Sequence, residues 1–182
     1  TGTGGSWGPT NGKLSQNLLY AGYRPEDITD VIITHAHPDH LSGSINAEGF
    51  SRFPKARFHM SKPEWAQWRK SKRELANLPA NAYGDMARNT NLQLSKLEEQ
   101  FVFMDMETEI FPGIRTIGLP GHTLGHVGLE IESAGNLHWF LSDIAHHHEI
   151  FFKNPAWHFA YDTDAKMAVN TRKRIFERAA AM

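Results

Sequence analysis

Three histidines and a carboxylate crowd into the stretch Thr34-His35-Ala36-His37-Pro38-Asp39-His40, directly after the apolar run Val31-Ile32-Ile33. Left unpaired in a core, four such side chains would be costly. Around a cation they make chemical sense, because imidazole and carboxylate are the ligands that zinc and its first-row neighbours accept. His35 and His37 are two apart, so in an extended segment both point the same way. Pro38 favours an extended residue before it and redirects the chain, and Asp39 and His40 follow as a second pair. One short loop can therefore start two adjacent metal sites.

The remaining composition narrows the setting. With 182 residues, 40% hydrophobic and 21% charged, the chain suits one domain spanning 1-182 with a core of its own. Its formal net charge of -1 offers no basic field for nucleic acid or an anionic membrane. No apolar run approaches the roughly 18 residues a membrane span needs, and no signal peptide is evident; the compartment stays unassigned. Cysteine is absent, which excludes disulfides, thiolate ligands and a cysteine nucleophile. Histidine, by contrast, occurs 11 times, in clusters.

Periodicity predicts a glycine-rich turn over Thr1 to Ser6, a short helix carrying Leu14, Leu18 and Leu19, and a strand from Asp30 to Thr34. A helix is expected over about Leu41 to Ile45, just beyond the ligands. A strand over Ala56 to Met60 should lead into a helix capped by Ser61, with Trp65 and Trp68 on one face and a basic, solvated end at residues 69 to 73. Another helix is expected from Asp85 to Gln100. From Phe101 onwards short strands follow one another, with turns at Pro112-Gly113 and Ala134-Gly135-Asn136. A last helix runs from about Asp164 to Ala180, capped by Asp162 or Thr163. Early alternation and later meander predict a layered α/β sandwich.

Two further strand ends carry ligand-type residues. Gly118-Leu119-Pro120-Gly121-His122-Thr123-Leu124-Gly125-His126 sets histidines among glycines that let the backbone approach a neighbour closely. Ser142-Asp143 ends the apolar run Trp139-Phe140-Leu141. Three such ends can converge on one rim of a rigid scaffold.

His-x-His-x-Asp-His, then Gly-His-Thr-x-Gly-His, then Ser-Asp, in that order, resembles the metallo-β-lactamase-fold hydrolase superfamily. The segment from Ser142 to Phe159 is similar to its methyl parathion hydrolase-like and acyl-homoserine lactone lactonase-like branch. The resemblance implies a four-layer αββα sandwich. It implies two divalent metal ions, zinc by default with manganese, iron or cobalt also suited: His35, His37 and His122 on the first, Asp39 and His40 on the second, Asp143 bridging. A hydroxide shared by the metals would be the nucleophile. Asp39 would orient it or shuttle its proton, and His126, Thr34 and Thr123 would support the ligand loops. Lactonase relatives carry a tyrosine three residues after the bridging Asp; here that position is His146, placed to help polarise the substrate or stabilise its leaving group. His147 and His148, pointing elsewhere, are weaker candidates.

The family also supplies a histidine well beyond the bridging Asp. His158 is the downstream histidine outside the triple run, and it precedes the last helix rather than following it. Both ends of the domain are therefore expected to lie outside this chain, with an exposed sheet edge that invites a second copy to pair. The implied function is hydrolysis of an ester, lactone or organophosphate bond in a small molecule. The aromatics Phe151, Phe152, Trp157, Phe159 and Tyr161 read first as core; as a pocket lining they would favour an apolar or aromatic substrate. A β-lactamase, a ribonuclease relative and a mononuclear iron dioxygenase share the fold. A metal-binding module without turnover is the alternative of another class.

Overall fold

Residues 1–5 and 7–182 are described by a computed structural model; Ser6, the last residue of the expected opening turn, lies outside the described residues. The chain divides into two units, Thr1–Met60 with Trp68–Phe103, and Ser61–Gln67 with Met104–Met182.

In the first unit, helix α1 (Leu14–Tyr20) ends before Gly22, whose φ of +85° suits glycine. Strand β1 (Asp30–Ile32) runs into the histidine loop. Helix α2 is Pro38–Leu41, followed by a 3-10 turn over Ser42–Ser44. The helix thus starts at the expected ligand residues and not after them, so Asp39 and His40 lie in its first turn. Pro38 explains the difference: its fixed φ suits the first helical position, where no N–H is needed. Strand β2 (Arg57–Ser61) pairs in parallel with β1, Val31 opposite Phe58 and Ile32 opposite His59. Parallel neighbours need a crossover, and the histidine loop is carried on it. Phe58, His59 and Met60 are all buried, as expected of a strand covered on both faces.

Helix α3 (Lys62–Trp68) does not continue through the basic run. Ser71 opens a new helix, α4 (Lys72–Ala76): its Oγ accepts the Glu74 N–H, and Glu74 accepts the Ser71 N–H at 2.8 Å. That reciprocal cap outweighs continuation of the earlier helix. Helix α5 (Ala82–Lys96) starts ahead of Asp85 because the Asn81 side chain accepts the Gly84 N–H at 3.0 Å. Strand β3 (Phe101–Met104) joins this sheet, in the order β1-β2-β3, rather than the later meander.

The second unit holds that meander. Strands β4 (Glu109–Phe111), β5 (Ile114–Gly118), β6 (Val127–Ser133) and β7 (Asn136–Phe140) form an antiparallel sheet in chain order. Ser133 pairs with Asn136, and the two residues between them, Ala134 and Gly135, both have positive φ. That hairpin turn matches the twist of its strands. Helix α6 (His148–Phe151) is a single turn. Helix α7 (Ala165–Ala180) buries Ile175 with Ile117, Leu119 and Ile144. Its cap is Asp164, which accepts the Met167 N–H at 2.9 Å. Asp162 and Thr163, expected as the cap, stand outside it, and Asp162 has another partner. Among the described residues no helix is long and apolar enough to cross a membrane.

Candidate functional site

The ligand-type residues of the first unit form a closed pair and an open pair. His35 is fully buried and His37 nearly so, with ring centroids 4.8 Å apart and edge to face. His40 lies against His35 at 4.0 Å. The Asp39 carboxylate sits 3.6 Å from His40 Nε2, and these two side chains are 39% and 26% exposed. The protein fixes this loop from several sides. Thr34 Oγ1 is 3.3 Å from His35 Nδ1. The Thr90 hydroxyl donates to the Ala36 carbonyl at 3.3 Å. Trp68, fully buried, meets the His37 ring edge-on at 5.4 Å. The Thr1 hydroxyl donates to the His40 carbonyl at 2.7 Å, seating the opening turn against the end of α2.

In the second unit the loop after β5 brings His122 to Asp143, Nε2 to Oδ2 3.6 Å. His146 Nε2 approaches the same oxygen at 3.4 Å. These three residues each offer a ligand atom within 4.8 Å of the others. Two imidazoles and a carboxylate so arranged, in a chain without thiolates, fit a first-row divalent cation. Both His146 ring nitrogens are shielded from solvent with no hydrogen bond among the described residues, and the ring stacks on Phe159 at 3.9 Å. His147 and His148 are exposed and stack on each other, and His158 is exposed too. Of the triple run, His146 is the one turned inward.

Backbone geometry aims these groups. Ser142 has a φ of +47°, left-handed for a residue with a Cβ, and sits immediately before Asp143. Such conformations cost about 1 kcal/mol or more and concentrate at functional sites. Gly121 has a φ of +131°, and a Cβ there would meet the Ala168 backbone of α7 at 2.2 Å. Gly125 packs so closely on α3 that a Cβ would lie 2.0 Å from the Glu64 nitrogen. His126 is fully buried, with Nδ1 3.1 Å from the Leu119 carbonyl, which closes the loop on itself.

Three residues here, Glu64, Asp162 and Arg172, escaped sequence reasoning as site residues. Glu64, in the first turn of α3, is fully buried; it accepts the Thr123 hydroxyl at 2.5 Å and the Gly125 N–H at 3.2 Å. Asp162 lies 3.0 Å from His122 Nδ1. Burial opposes its ionisation, but hydrogen bonds from His122 and the Phe159 N–H, with the charges of His122 and Arg172 nearby, more than offset this and hold its pKa below the ordinary carboxylate value. Arg172 is buried on α7; Phe159, one of the aromatics weighed as core or pocket lining, stacks on His146. Helical phase could have flagged Arg172, which falls with Ala168 and Ile175 on the buried face; Asp162, so far along the chain from His122, left no local sign. The aromatics divide against the core reading: Phe151 is buried, but Phe152, Trp157 and Tyr161 are 64%, 58% and 59% exposed.

The chain belongs to the metallo-beta-lactamase superfamily, whose family model matches residues 3–138. It is similar to an N-acyl homoserine lactonase of Bacillus cereus, 30% identical over 116 residues that make up 64% of this chain and 38% of the relative. Among solved structures it resembles AidC, a dizinc quorum-quenching lactonase in complex with a product, N-hexanoyl-L-homoserine, with a TM-score of 0.88 and 27% identity. It also resembles the hydrolase AbOPH of the beta lactamase superfamily, at 0.84 and 28%. The match covers 98% of this chain and 62% of each of those two. The α/β fold, with one sheet containing a parallel pair and one antiparallel sheet, is thus that of the metallo-β-lactamase family.

Proposed function

We propose that this chain carries a dinuclear metal site that hydrolyses lactones bearing an apolar acyl group. The observation that carries the reading is the pair His122 and Asp143, Nε2 to Oδ2 3.6 Å, at strand ends of a metallo-β-lactamase fold. The His35, His37, Asp39 and His40 loop supplies the other motif of that family. In this proposal His35, His37 and His122 would hold one cation and Asp39 and His40 the second, with Asp143 available to both. Bound there, divalent cations supply Lewis acidity and acidify a water. Zinc is the proposed metal, since the ligands are nitrogen and oxygen donors and AidC is described as dizinc.

The chain's own side chains then have separable tasks. Asp39, the more open carboxylate, takes up and passes on the proton released by the attacking water. His146, flat against Phe159, donates a hydrogen bond to the oxygen that leaves as the ring opens. The exposed Phe152, Trp157 and Tyr161 offer apolar surface for an acyl group. Lactone is preferred over organophosphate or β-lactam because the B. cereus relative and AidC are both named as lactonases. A panel of an acyl-homoserine lactone, an aryl ester, a phosphotriester and a β-lactam tests this on zinc-loaded protein. Turnover greatest on the lactone is expected; zinc binding with every substrate inert would favour the metal-binding module without turnover.

A further inference from the structure

The segment between α6 and α7 does more than connect them. Asp162 is attached to it, and its side chain is fully buried, with Oδ1 3.0 Å from His122 Nδ1 and Oδ2 accepting the Phe159 N–H at 2.8 Å. A carboxylate accepts, so the proton of this bond belongs to His122 Nδ1. The lone pair of a neutral ring is then on Nε2, the nitrogen that faces Asp143 at 3.6 Å. We infer that Asp162 is a positioning residue, fixing His122 as the Nδ1–H tautomer and holding its Nε2 ready for a cation.

The surroundings are built to keep that bond. The Thr163 and Asp164 N–H groups donate to the His122 and Gly121 carbonyls at 3.0 and 2.9 Å, so loop and segment are tied on both sides of the carboxylate. Arg172, almost fully buried, donates Nη1 to the Pro155 and Trp157 carbonyls and Nε to the Ile144 carbonyl. One guanidinium thus pins the segment and the residue after Asp143 to the same helix. Phe159, from the same segment, stacks on His146. A single braced stretch orients both histidines of the set. Carboxylate partners of this kind raise the basicity of a ligating imidazole, and their loss typically costs about ten- to hundred-fold in metal affinity.

The metal part of this inference rests on the proposed metal site; the tautomer does not. Nitrogen-15 spectra of histidine-labelled, metal-free protein read the tautomer directly. His122 is expected as Nδ1–H in the wild type; an Nε2–H signal there would overturn the assignment. In Asp162→Asn the amide can donate instead, and the tautomer should switch toward Nε2–H. Competition titration with zinc alone should then show affinity about ten- to hundred-fold weaker, with an unchanged circular dichroism spectrum. A switched tautomer with undiminished zinc affinity would overturn the positioning role. If wild-type protein holds the Nδ1–H tautomer yet binds no zinc, the proposed function fails while the tautomer assignment stands. Should Asp162→Asn not fold, Asp162→Glu takes its place in the titration, and the wild-type spectrum still decides the tautomer.

Discussion

At the scale of single residues, the loops that carry the candidate ligands are held by contacts with little slack. Gly125 is the sharpest case, because the smallest added side chain would enter the Glu64 backbone. Gly125→Ala should destabilise the fold by about 3 kcal/mol, read as a shift in the urea midpoint; an unchanged midpoint would mean the approach is looser. His146 poses a question of role. As a hydrogen-bond donor to the leaving oxygen, it should contribute roughly hundred-fold to kcat without contributing to metal binding. His146→Phe is therefore expected to lose activity and keep its zinc; loss of zinc in parallel would make His146 a ligand. The motif residues were legible in the sequence because metal-ligand chemistry demands particular side chains at close spacing. Asp162 and Glu64 were not, because each does its work on a residue far along the chain, and each also fits a local reading as a helix-start residue.

Elements show the same division. The strands and α7 could be read from periodicity, since burying one face leaves a repeat in the sequence. The start of α2 could not, because Pro38 serves equally as a breaker and as a first helical residue. The fate of β3 was hidden for another reason: strand order is set by pairing, and Phe101-Val102-Phe103 pairs with a strand far upstream. The edge between β1 and β2 also carries a pH dependence. Asp30 bonds His59 Nε2 at 2.7 Å and Arg57 Nε at 3.0 Å. Burial raises its pKa, but the hydrogen bonds from His59, Thr29 and Arg57 and the charge of Arg57 pull it below the ordinary value. Such a carboxylate stabilises the fold above its unfolded pKa and loses that contribution as pH falls through the lower, folded one, a window below about pH 4. Asp30→Asn should cost about 1 kcal/mol at neutral pH. It should also flatten this part of the acid unfolding curve, followed by circular dichroism; an identical acid limb in the variant would contradict the assignment.

Across the whole molecule, each of the two units carries its own histidine and aspartate set, and the proposed activity needs both. Neither set alone matches the motif order of the family, and the chain spans 62% of AidC, so the complete activity is a matter for direct measurement. The most direct is the rate of acyl-homoserine lactone opening by the protein as purified, after chelation, and after zinc is restored. The account predicts opening that disappears with the metal, returns with zinc, and stays absent when zinc is restored to His35→Ala or His122→Ala. Lactone opening that survives chelation, or that either variant retains in full, would contradict it.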